Sequence, residues 1–276
     1  MKLGGTKRIS VFVNDFIRAH RLDFKGKIVA DIPAGLGRTS KTLHEVGADV
    51  RSYDLFPDAF NADGIRCEFA DLSKKLPIET ESCDIAIFQE GIEHLADQLF
   101  ALSEFNRILN DGGRLFITTP NYSSLRAKIA YLLLESEVRN IMPPNELDSL
   151  WRPRRESKGT QIYFGHIFMI GISKLRMLAW LAGFRIHKIH HTRVNWTSAL
   201  MLPFFYPFIW VRNLLTEKRA VRRNMNTDEE LKRQTFKELR DLNCNPKILI
   251  DQHLFVEFRK VKSSKQVKDM LYGDDA

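Results

Sequence analysis

The stretch Lys27-Ile-Val-Ala-Asp-Ile-Pro-Ala-Gly-Leu-Gly37 decides the fold of this chain. Residues 27–32 predict a short apolar strand that runs into a glycine loop, and residues 39–46 have helical spacing up to a stop at Gly47. Small residues in such a loop let a ligand approach the backbone, and the amides at the helix start can receive its polar groups. The loop lacks the G-x-G-x-x-G spacing of dinucleotide sites. An ordinary tight turn is the alternative interpretation of its two glycines.

Strands and helices alternate after this loop, as is typical of a parallel sheet with crossover helices. The next predicted strands are residues 49–53, 66–70, 83–88 and 114–119. Helices are predicted at residues 10–21, 97–109, 125–134 and 173–181. Two later strands are predicted at residues 184–191 and 253–258. The pattern indicates an α/β fold, doubly wound, with helices on both faces of its sheet.

The composition is that of an ordinary globular protein. With 44% hydrophobic and 28% charged residues, it excludes wholesale disorder and a multi-span membrane protein. The formal net charge of +8 suits a nucleic acid, an anionic membrane or a phosphorylated substrate equally well. The three cysteines include no CxxC pair, so neither a disulfide framework nor a zinc site is indicated. The first residues lack the apolar core of a secretory signal, and we expect a cytoplasmic protein.

Polar side chains end three successive strands of the predicted sheet. Asp54 follows the second strand, about twenty residues after the glycine loop, where a carboxylate can accept hydrogen bonds from both hydroxyls of a ribose. Asp71 ends the third strand and Gln89 the fourth. A solvated acid at a strand end is the alternative for each carboxylate. Ligands of open α/β sheets bind beyond the carboxyl ends of the strands, so we expect these residues to gather with Gly35 around one pocket.

Two motifs surround this predicted nucleoside pocket. Residues 31–37 are close to a D-x-G-x-G-x-G loop, with Pro33 at the position of the first glycine. Asp71 is followed by Leu72 and then by Leu76-Pro77.

Two further motifs follow in the same order along the chain. Residues 82–94 combine a D-x-[IVL] strand with an E-x-x-E-H group, and residues 110–120 join Asn-Asp-Gly-Gly to an apolar strand. The four segments together resemble the class I S-adenosylmethionine-dependent methyltransferases, in particular the type 11/23-like quinone and small-molecule O-methyltransferases. The resemblance covers residues 25–120, with weaker support over residues 165–188.

The resemblance implies a Rossmann-like sheet of seven strands that binds S-adenosylmethionine. In the family, the acid of the second strand meets the ribose, and the acid of the third segment meets the adenine amino group. The residues that the resemblance assigns to donor binding are Asp31, Ala34, Gly35, Gly37, Asp54, Leu55, Asp71, Leu72, Gln89 and Glu90.

Two histidines are candidates for the removal of a proton from an acceptor hydroxyl, because the ordinary histidine pKa lies near neutrality. His94 follows the fourth strand, and His166 resembles the histidine that precedes the helix leading to the sixth strand in related enzymes. For both, a hydrogen-bonded structural role is the alternative. The resemblance also suggests that Glu90, Glu93 and His94 hold a divalent cation such as Mg²⁺, since hard cations favour oxygen ligands and retain waters.

The chain divides into a core and an insertion. We expect the methyltransferase core at residues 1–195, with an acceptor-side insertion near 121–164, an apolar and basic insertion at 196–246, a returning strand within 247–262 and a polar tail at 263–276.

Two segments outside the motifs bear on the acceptor. Residues 151–158 cluster Arg152, Arg154, Arg155 and Lys158, which suits a phosphate or carboxylate, although a solvated basic loop is the alternative. Residues 199–211 are almost wholly apolar, yet they are too short for a membrane span and are interrupted by two prolines. Their aromatics and the following arginines favour an interfacial segment on an anionic membrane, with an acceptor lid or a dimer contact as alternatives.

These observations favour a methyltransferase that acts on the oxygen of a glycan, a sugar or a lipid-linked cell-envelope precursor, an anionic acceptor near the inner face of a membrane. A quinone-type aromatic O-methyltransferase is the first alternative, and a noncatalytic nucleoside-binding interaction module is the second. A nucleic-acid substrate is disfavoured, because no N/D-P-P-Y/F segment follows the fourth strand. A homodimer is left open.

Overall fold

A computed structural model describes residues 8–136, 142–147, 149–151, 163–223 and 228–272. Over these residues the chain forms a seven-stranded sheet in the order β3-β2-β1-β4-β5-β9-β8 and a small two-stranded sheet of β6 and β7. The strands from β3 to β5 are parallel, whereas β9 runs antiparallel to both β5 and β8. The sheet, with helices around it, confirms the expected doubly wound α/β fold.

The bounds of the elements follow the sequence prediction closely in the first two thirds of the chain. The strands are β1 Ile28–Asp31, β2 Asp49–Asp54, β3 Cys67–Phe69, β4 Cys83–Gln89, β5 Leu109–Pro120, β6 Leu150–Trp151, β7 Tyr163–Phe164, β8 Phe184–Ile189 and β9 His253–Lys260. The helices are α1 Ile9–Ala19, α2 Arg21–Phe24, α3 Arg38–Glu45, α4 Gln98–Ile108, α5 Leu125–Leu134, α6 Ile172–Leu181, α7 Trp196–Arg223, α8 Glu229–Asn243, α9 Pro246–Ile250 and α10 Ser264–Tyr272.

Alternation along each central strand builds two hydrophobic cores, one on each face of the sheet. Successive strand side chains point to opposite faces. On β4, Ile85 and Ile87 therefore join a cluster with α1 and α3, while Ala86 and Phe88 join the larger cluster with α4 and α6. Burying both faces explains why these strands are apolar throughout.

Helix α1 closes the smaller core through one face. Its buried residues Ile9, Val13 and Ile17 are spaced four apart, which places them on a single side of the helix. Helix α4 begins where Asp97 Oδ1 accepts a hydrogen bond from the amide of Phe100, an N-terminal cap that satisfies a backbone donor. Both helices pack against the sheet that carries the site, α4 through Leu102 and Phe105.

The start of β5 differs from the prediction. Asn110-Asp-Gly-Gly113 was expected as a turn before the strand, but β5 already begins at Leu109, and its pairing with β4 shifts register between Cys83 and Ile85. A register shift lets one strand accommodate extra residues without ending, so the glycines lie within an irregular strand instead of a separate turn.

The prediction that prolines interrupt residues 199–211 is wrong. Helix α7 continues for 28 residues with Pro203 and Pro207 inside it, and Ser198 is its only buried residue. Its length and composition would suffice to cross a membrane, and it is the one such helix among the described residues. Proline removes a backbone donor and disfavours the preceding turn, but this cost does not break a helix that other contacts hold in place.

The tail expected at 263–276 forms helix α10 over Ser264–Tyr272, because Val267 is buried and the amide of Ser264 donates to Asn106 Oδ1. The basic cluster of Arg152, Arg154, Arg155 and Lys158 lies outside the described residues.

Candidate active site

A cavity of about 480 Å³ opens beyond the carboxyl ends of β1, β2 and β4. This is where the polar strand ends of an open α/β sheet converge. The residues expected at the donor site that line the cavity are Ala34, Gly35, Asp54, Leu55, Asp71, Leu72, Gln89 and Glu90, and His94 stands among them.

The glycine loop is joined to the end of β2 by a direct hydrogen bond. Gly35 has a φ of +55°, a conformation that an L side chain rarely adopts, and its amide donates to Asp54 Oδ2 at 2.7 Å. The other oxygen, Oδ1, accepts from the amide of Phe56 at 2.8 Å. A carboxylate has about four lone-pair sites, so Asp54 retains acceptor capacity toward the cavity.

Asp71 is organised in the same way at the end of β3. Its Oδ1 accepts from the amide of Ser73 at 2.9 Å and from the Ser73 hydroxyl at 2.6 Å. Lys74 lies 3.2 Å from Oδ2. The two acids are therefore held in fixed orientations on the same wall of the cavity.

Asp31 and Gly37, also expected at the donor site, are not among the residues that line the cavity. Asp31 is buried and accepts a hydrogen bond from the Ser40 hydroxyl, so it ties β1 to α3. Burial raises the pKa of Asp31 to about 7; the Ser40 hydrogen bond opposes this rise and nearby Asp54 adds to it. Gly37 caps α3 with a φ of +80°, and a Cβ there would lie 2.7 Å from the ring of Phe60.

Gln89 and Glu90 continue the wall at the end of β4. The hydroxyl of Thr39 donates to Gln89 Oε1 at 3.3 Å, and that of Thr118 donates to Glu90 Oε1 at 3.1 Å. Burial, together with the neighbouring Glu93, raises the pKa of Glu90 to about 8, and the hydrogen bond from Thr118 opposes this rise. Burial lowers the pKa of His253, which lies 3.5 Å from Glu90, to about 4. Near pH 7 this contact therefore joins two neutral groups.

His94 stands at the edge of the cavity with a defined tautomer. Its Nδ1 lies 2.9 Å from the carbonyl of Phe164 and 3.1 Å from that of Gly165. Because carbonyls only accept hydrogen bonds, Nδ1 carries the proton in the neutral ring and Nε2 carries the lone pair. This is the form that a general base requires.

His166 lies next to His94 but outside the residues that line the cavity. The two ring centroids are 5.0 Å apart. Partial desolvation and then the neighbouring His94 hold the pKa of His166 below its usual range. The loop is fixed there because Gln98 donates to the carbonyl of Phe168 at 2.6 Å and the Phe168 amide donates to that of Glu93.

The potential metal ligands differ from the expected set. Glu93, His94 and His166 bring one ligand atom each within 4.8 Å of one another. Glu90 is not in this group, since its positive φ of +50° and its contacts with Thr118 and His253 turn it elsewhere. Glu93 is fully buried, with Oε2 accepting from Thr119 at 3.0 Å and Oε1 without a hydrogen-bond partner among the described residues.

The sequence prediction missed residues on two strands at this edge. Thr118 and Thr119 were given no role, although a polar pair at the end of an apolar strand is the same signal that identified Asp54 and Asp71. His253 is the first residue of β9, and it reaches this edge only because β9 runs antiparallel, so that His253 pairs with Pro120.

Comparisons with known proteins agree with this geometry. A family model described as a methyltransferase domain matches residues 8–189. A ubiquinone biosynthesis O-methyltransferase of Xanthomonas oryzae pv. oryzae (strain PXO99A) is 29% identical over 119 residues, which are 39% of this chain and 48% of that protein. One of Sinorhizobium fredii (strain NBRC 101917 / NGR234) is 26% identical over 152 residues, 50% of this chain and 61% of that protein. The chain thus spans about half the length of the curated relatives that it matches.

A solved structure supports the fold. A protein from Bacillus halodurans C-125, named for an inferred methyltransferase activity, superimposes with a TM-score of 0.50 at 14% identity, covering 88% of this chain and 98% of the other. At this identity the likeness concerns the architecture alone.

Proposed function

The chain belongs to the S-adenosylmethionine-dependent methyltransferase family, and from this premise we propose that it transfers a methyl group to a hydroxyl oxygen of an aromatic, quinone-type acceptor. The observation that carries the proposal is His94, which lines the donor cavity and keeps its proton on Nδ1. Nε2 could accept the proton of an acceptor hydroxyl that lies against it, while the methyl group would pass from the donor sulfur to the acceptor oxygen and leave S-adenosylhomocysteine as the second product.

The cavity suits the donor in volume and in chemistry. Asp54 has acceptor capacity for ribose hydroxyls, and Asp71 for an adenine amino group, while Leu55 and Leu72 offer apolar contact to the rings. S-adenosylmethionine, when bound, supplies a methyl group that is already activated on a sulfonium. The protein's own contribution is therefore largely the positioning of the acceptor oxygen.

Glu90, which lines the cavity, and His253, which contacts Glu90, are neutral near pH 7. Glu90 has a pKa of about 8 and His253 one of about 4. Burial also raises the pKa of Glu93. These neutral groups suit an uncharged aromatic ring better than a phosphate, because a partly buried anion needs a positive partner and neither Glu90 nor His253 supplies one. The names of the matching relatives support the same class of acceptor.

The anionic glycan or lipid-linked acceptor favoured by the sequence has less support. It depended on a basic and an interfacial segment together, and the basic segment with Arg152, Arg154, Arg155 and Lys158 lies outside the described residues. We keep it as the second acceptor class. A noncatalytic nucleoside-binding module remains the alternative to an enzyme.

A divalent cation is an alternative role for the cluster of Glu93, His94 and His166. Its support is the convergence of three ligand atoms and the unpartnered Oε1 of Glu93. Two imidazoles and one carboxylate suit Zn²⁺ or Mn²⁺ better than Mg²⁺, which prefers oxygen ligands and bound waters. A cation there would supply Lewis-acid activation of the acceptor hydroxyl, and His94 would be a ligand instead of the base.

The experiment is a methyl-transfer assay with labelled S-adenosylmethionine on catechols and hydroquinones, with phosphorylated sugars as the second panel. We expect transfer to the phenols, and His94→Ala should lower turnover by about 10²–10⁴-fold while donor affinity stays nearly constant. His44→Ala, at an exposed histidine, is the control.

Each of the other outcomes would favour a different acceptor, a different function or a different role for His94. Methylation of the sugars alone would replace the aromatic acceptor by a glycan. Donor binding without transfer to either panel would favour the interaction module. Wild-type turnover in His94→Ala would remove His94 as the base, and loss of activity on chelation with rescue by Mn²⁺ would establish the cation role.

A further inference from the structure

Helix α7 presents an apolar stripe to solvent along most of its length. Leu200, Phe204, Phe208, Val211 and Leu215 are spaced by four, four, three and four residues, so they share one side of the helix. Their exposed fractions range from 43% to 74%. We call these five residues the outer stripe. A continuous apolar face of this kind marks an interaction surface.

The opposite side of α7 is fixed to the rest of the protein. The hydroxyl of Ser198 accepts from the amide of Arg126 on α5 at 3.1 Å. Farther along, Asn213 Oδ1 accepts from Asn243 at 3.2 Å, and Glu217 pairs with Arg240 at 2.8 Å, both partners belonging to the α8 segment. These contacts determine which side of α7 remains available.

The same face becomes strongly basic beyond the outer stripe. Lys218 and Arg222 continue its spacing, and Arg219 and Arg223 flank them, all four exposed. Helix α7 contains five bases and one acid, and that acid is Glu217, already paired with Arg240. The face therefore offers an apolar strip and an unbalanced positive charge side by side.

We propose that α7 lies in the plane of an anionic lipid bilayer, with the outer stripe in the headgroup boundary and the basic end on lipid phosphates. Aromatic and aliphatic side chains combined with lysine and arginine are the composition of interfacial helices. Trp196, 81% exposed at the start of α7, adds a side chain that favours this boundary.

The in-plane orientation follows from the contacts that hold α7 to α5 and α8, although α7 is long enough to cross a membrane. Crossing would carry α8, with its many charged side chains, into the hydrocarbon, because the Asn213–Asn243 and Glu217–Arg240 contacts join the two helices. An orientation of α7 in the plane of the bilayer keeps α8 in water and leaves the contacts of α7 with α5 and α8 intact.

A bilayer fits this face better than a second copy of the chain does. A partner α7 would supply the same bases and no carboxylate apart from Glu217, which is engaged. Anionic headgroups supply the missing negative charge, and each basic residue strengthens attachment to such a surface.

The helix also begins beside the candidate active site. The amide of Asn195 donates to the carbonyl of Ile250 at 2.7 Å, and Thr192 donates to the carbonyl of His253 at 2.9 Å. A bilayer under α7 would thus lie near the acceptor side of the cavity, which suits a membrane-dissolved acceptor. This last step rests on the proposed function; the membrane contact itself does not.

The test is sedimentation of the full chain with vesicles of equal parts phosphatidylcholine and phosphatidylglycerol, and with phosphatidylcholine alone. We expect the protein to pellet with the anionic vesicles at low salt and partly dissociate at high salt. Phe204→Ser/Phe208→Ser should abolish most binding, and Arg219→Glu/Arg222→Glu should weaken it by at least about tenfold.

Matched controls change exposed residues on other elements. Leu22→Ser/Leu231→Ser removes apolar side chains and Lys265→Glu/Lys268→Glu makes the same charge change; both should bind like the wild type. Binding of S-adenosylhomocysteine reports that each variant is folded, independently of activity.

The proposal is overturned if the wild type stays in the supernatant, if the Phe204/Phe208 variant pellets normally, or if the controls lose binding equally. A wild-type dimer that this variant converts to a monomer, without vesicle binding, would assign the face to a second copy. Retention of the wild type in the pellet after an alkaline wash would indicate a spanning helix and would equally overturn the in-plane orientation.

Discussion

The hydrogen bond from Gly35 to Asp54 shows how single residues shape the donor site. It connects the loop after β1 to the end of β2, two segments that a ligand must bridge. The glycine supplies a positive φ, and the acid supplies an acceptor that can serve the loop and a ligand at once. Loop shape and donor affinity should therefore change together.

Replacing Asp54 by alanine should weaken binding of S-adenosylhomocysteine by about 10–150-fold, because charge-assisted hydrogen bonds contribute roughly 1.5–3 kcal/mol. Asp54→Asn, which keeps one acceptor oxygen for the amide of Gly35, should lose less affinity than Asp54→Ala. Calorimetry measures both, with Asp58→Ala at an exposed acid as the control. An unchanged affinity in folded Asp54→Ala would remove Asp54 from the site.

Asp31 should make the free energy of unfolding depend on pH. Its pKa of about 7 in the folded protein exceeds the ordinary 3.8, so its contribution to stability is complete below pH 4 and is lost as the pH rises through 7. Asp31→Asn keeps an acceptor for Ser40 and removes the charge. As the pH rises from 4 to 8, the free energy of unfolding of the variant should increase relative to that of the wild type. The gain should reach at most about 1.4 kcal/mol for each unit by which folding raises the Asp31 pKa.

Denaturant unfolding at several pH values checks this expectation. Asp58→Asn, at an exposed acid, should show no such trend. A constant difference between Asp31→Asn and the wild type across this range would mean that Asp31 ionises normally in the folded protein.

Helix α7 shows how an element can depart from its local sequence. Pro203 and Pro207 predict a break, yet the helix runs continuously because its inner side is tied to α5 and α8. Tertiary contacts here outweigh a helix propensity that disfavours proline by about 3 kcal/mol per residue. Replacing the two prolines should therefore increase the stability of the protein.

Pro203→Ala/Pro207→Ala should raise the helical content and the midpoint of thermal unfolding, because alanine restores two backbone donors in a helix that already exists. Circular dichroism measures both quantities. Pro57→Ala, at the first position of a short 3₁₀ turn, is the control and should change little. If the double variant melts at or below the wild-type temperature, the prolines are not held within a continuous helix in solution.

The whole molecule presents its chemistry at one edge of a sheet buried on both faces. The loops after β1, β2, β3 and β4 line the donor cavity, while β5 and β9 contribute Thr118, Thr119 and His253, which contact Glu90 and Glu93. A ligand that fills the cavity contacts the loops that follow four strands, β1 to β4. Its binding should therefore stabilise the folded molecule as a unit.

S-adenosylhomocysteine at a concentration one hundred times its Kd should add about 2.7 kcal/mol to the free energy of unfolding. This gain corresponds to a rise of about 5–10 °C in Tm. NAD should give a much smaller rise, because the loop after β1 lacks the G-x-G-x-x-G spacing for a pyrophosphate. Thermal melts with each nucleotide test this directly. An NAD shift as large as that of S-adenosylhomocysteine would contradict the assignment of the donor site.

The sequence by itself determined the order of strands and helices, the two-sided burial of the central strands and most of the donor wall. These features are local: periodicity reports burial, and a polar residue at a strand end reports the functional edge. Thus Gly35, Asp54, Asp71 and Gln89 could be placed at the cavity from their positions alone.

Only the tertiary structure decided which side chains meet at the acceptor side. Asp31 contacts Ser40, and Glu90 contacts Thr118 and His253 instead of joining the cluster of Glu93, His94 and His166. His253 lies on an antiparallel strand that begins more than 150 residues after β4 ends. Such choices depend on side-chain direction and on contacts between distant segments, and neither is encoded in local spacing. The same reason explains α7, whose continuity depends on the helices packed against it.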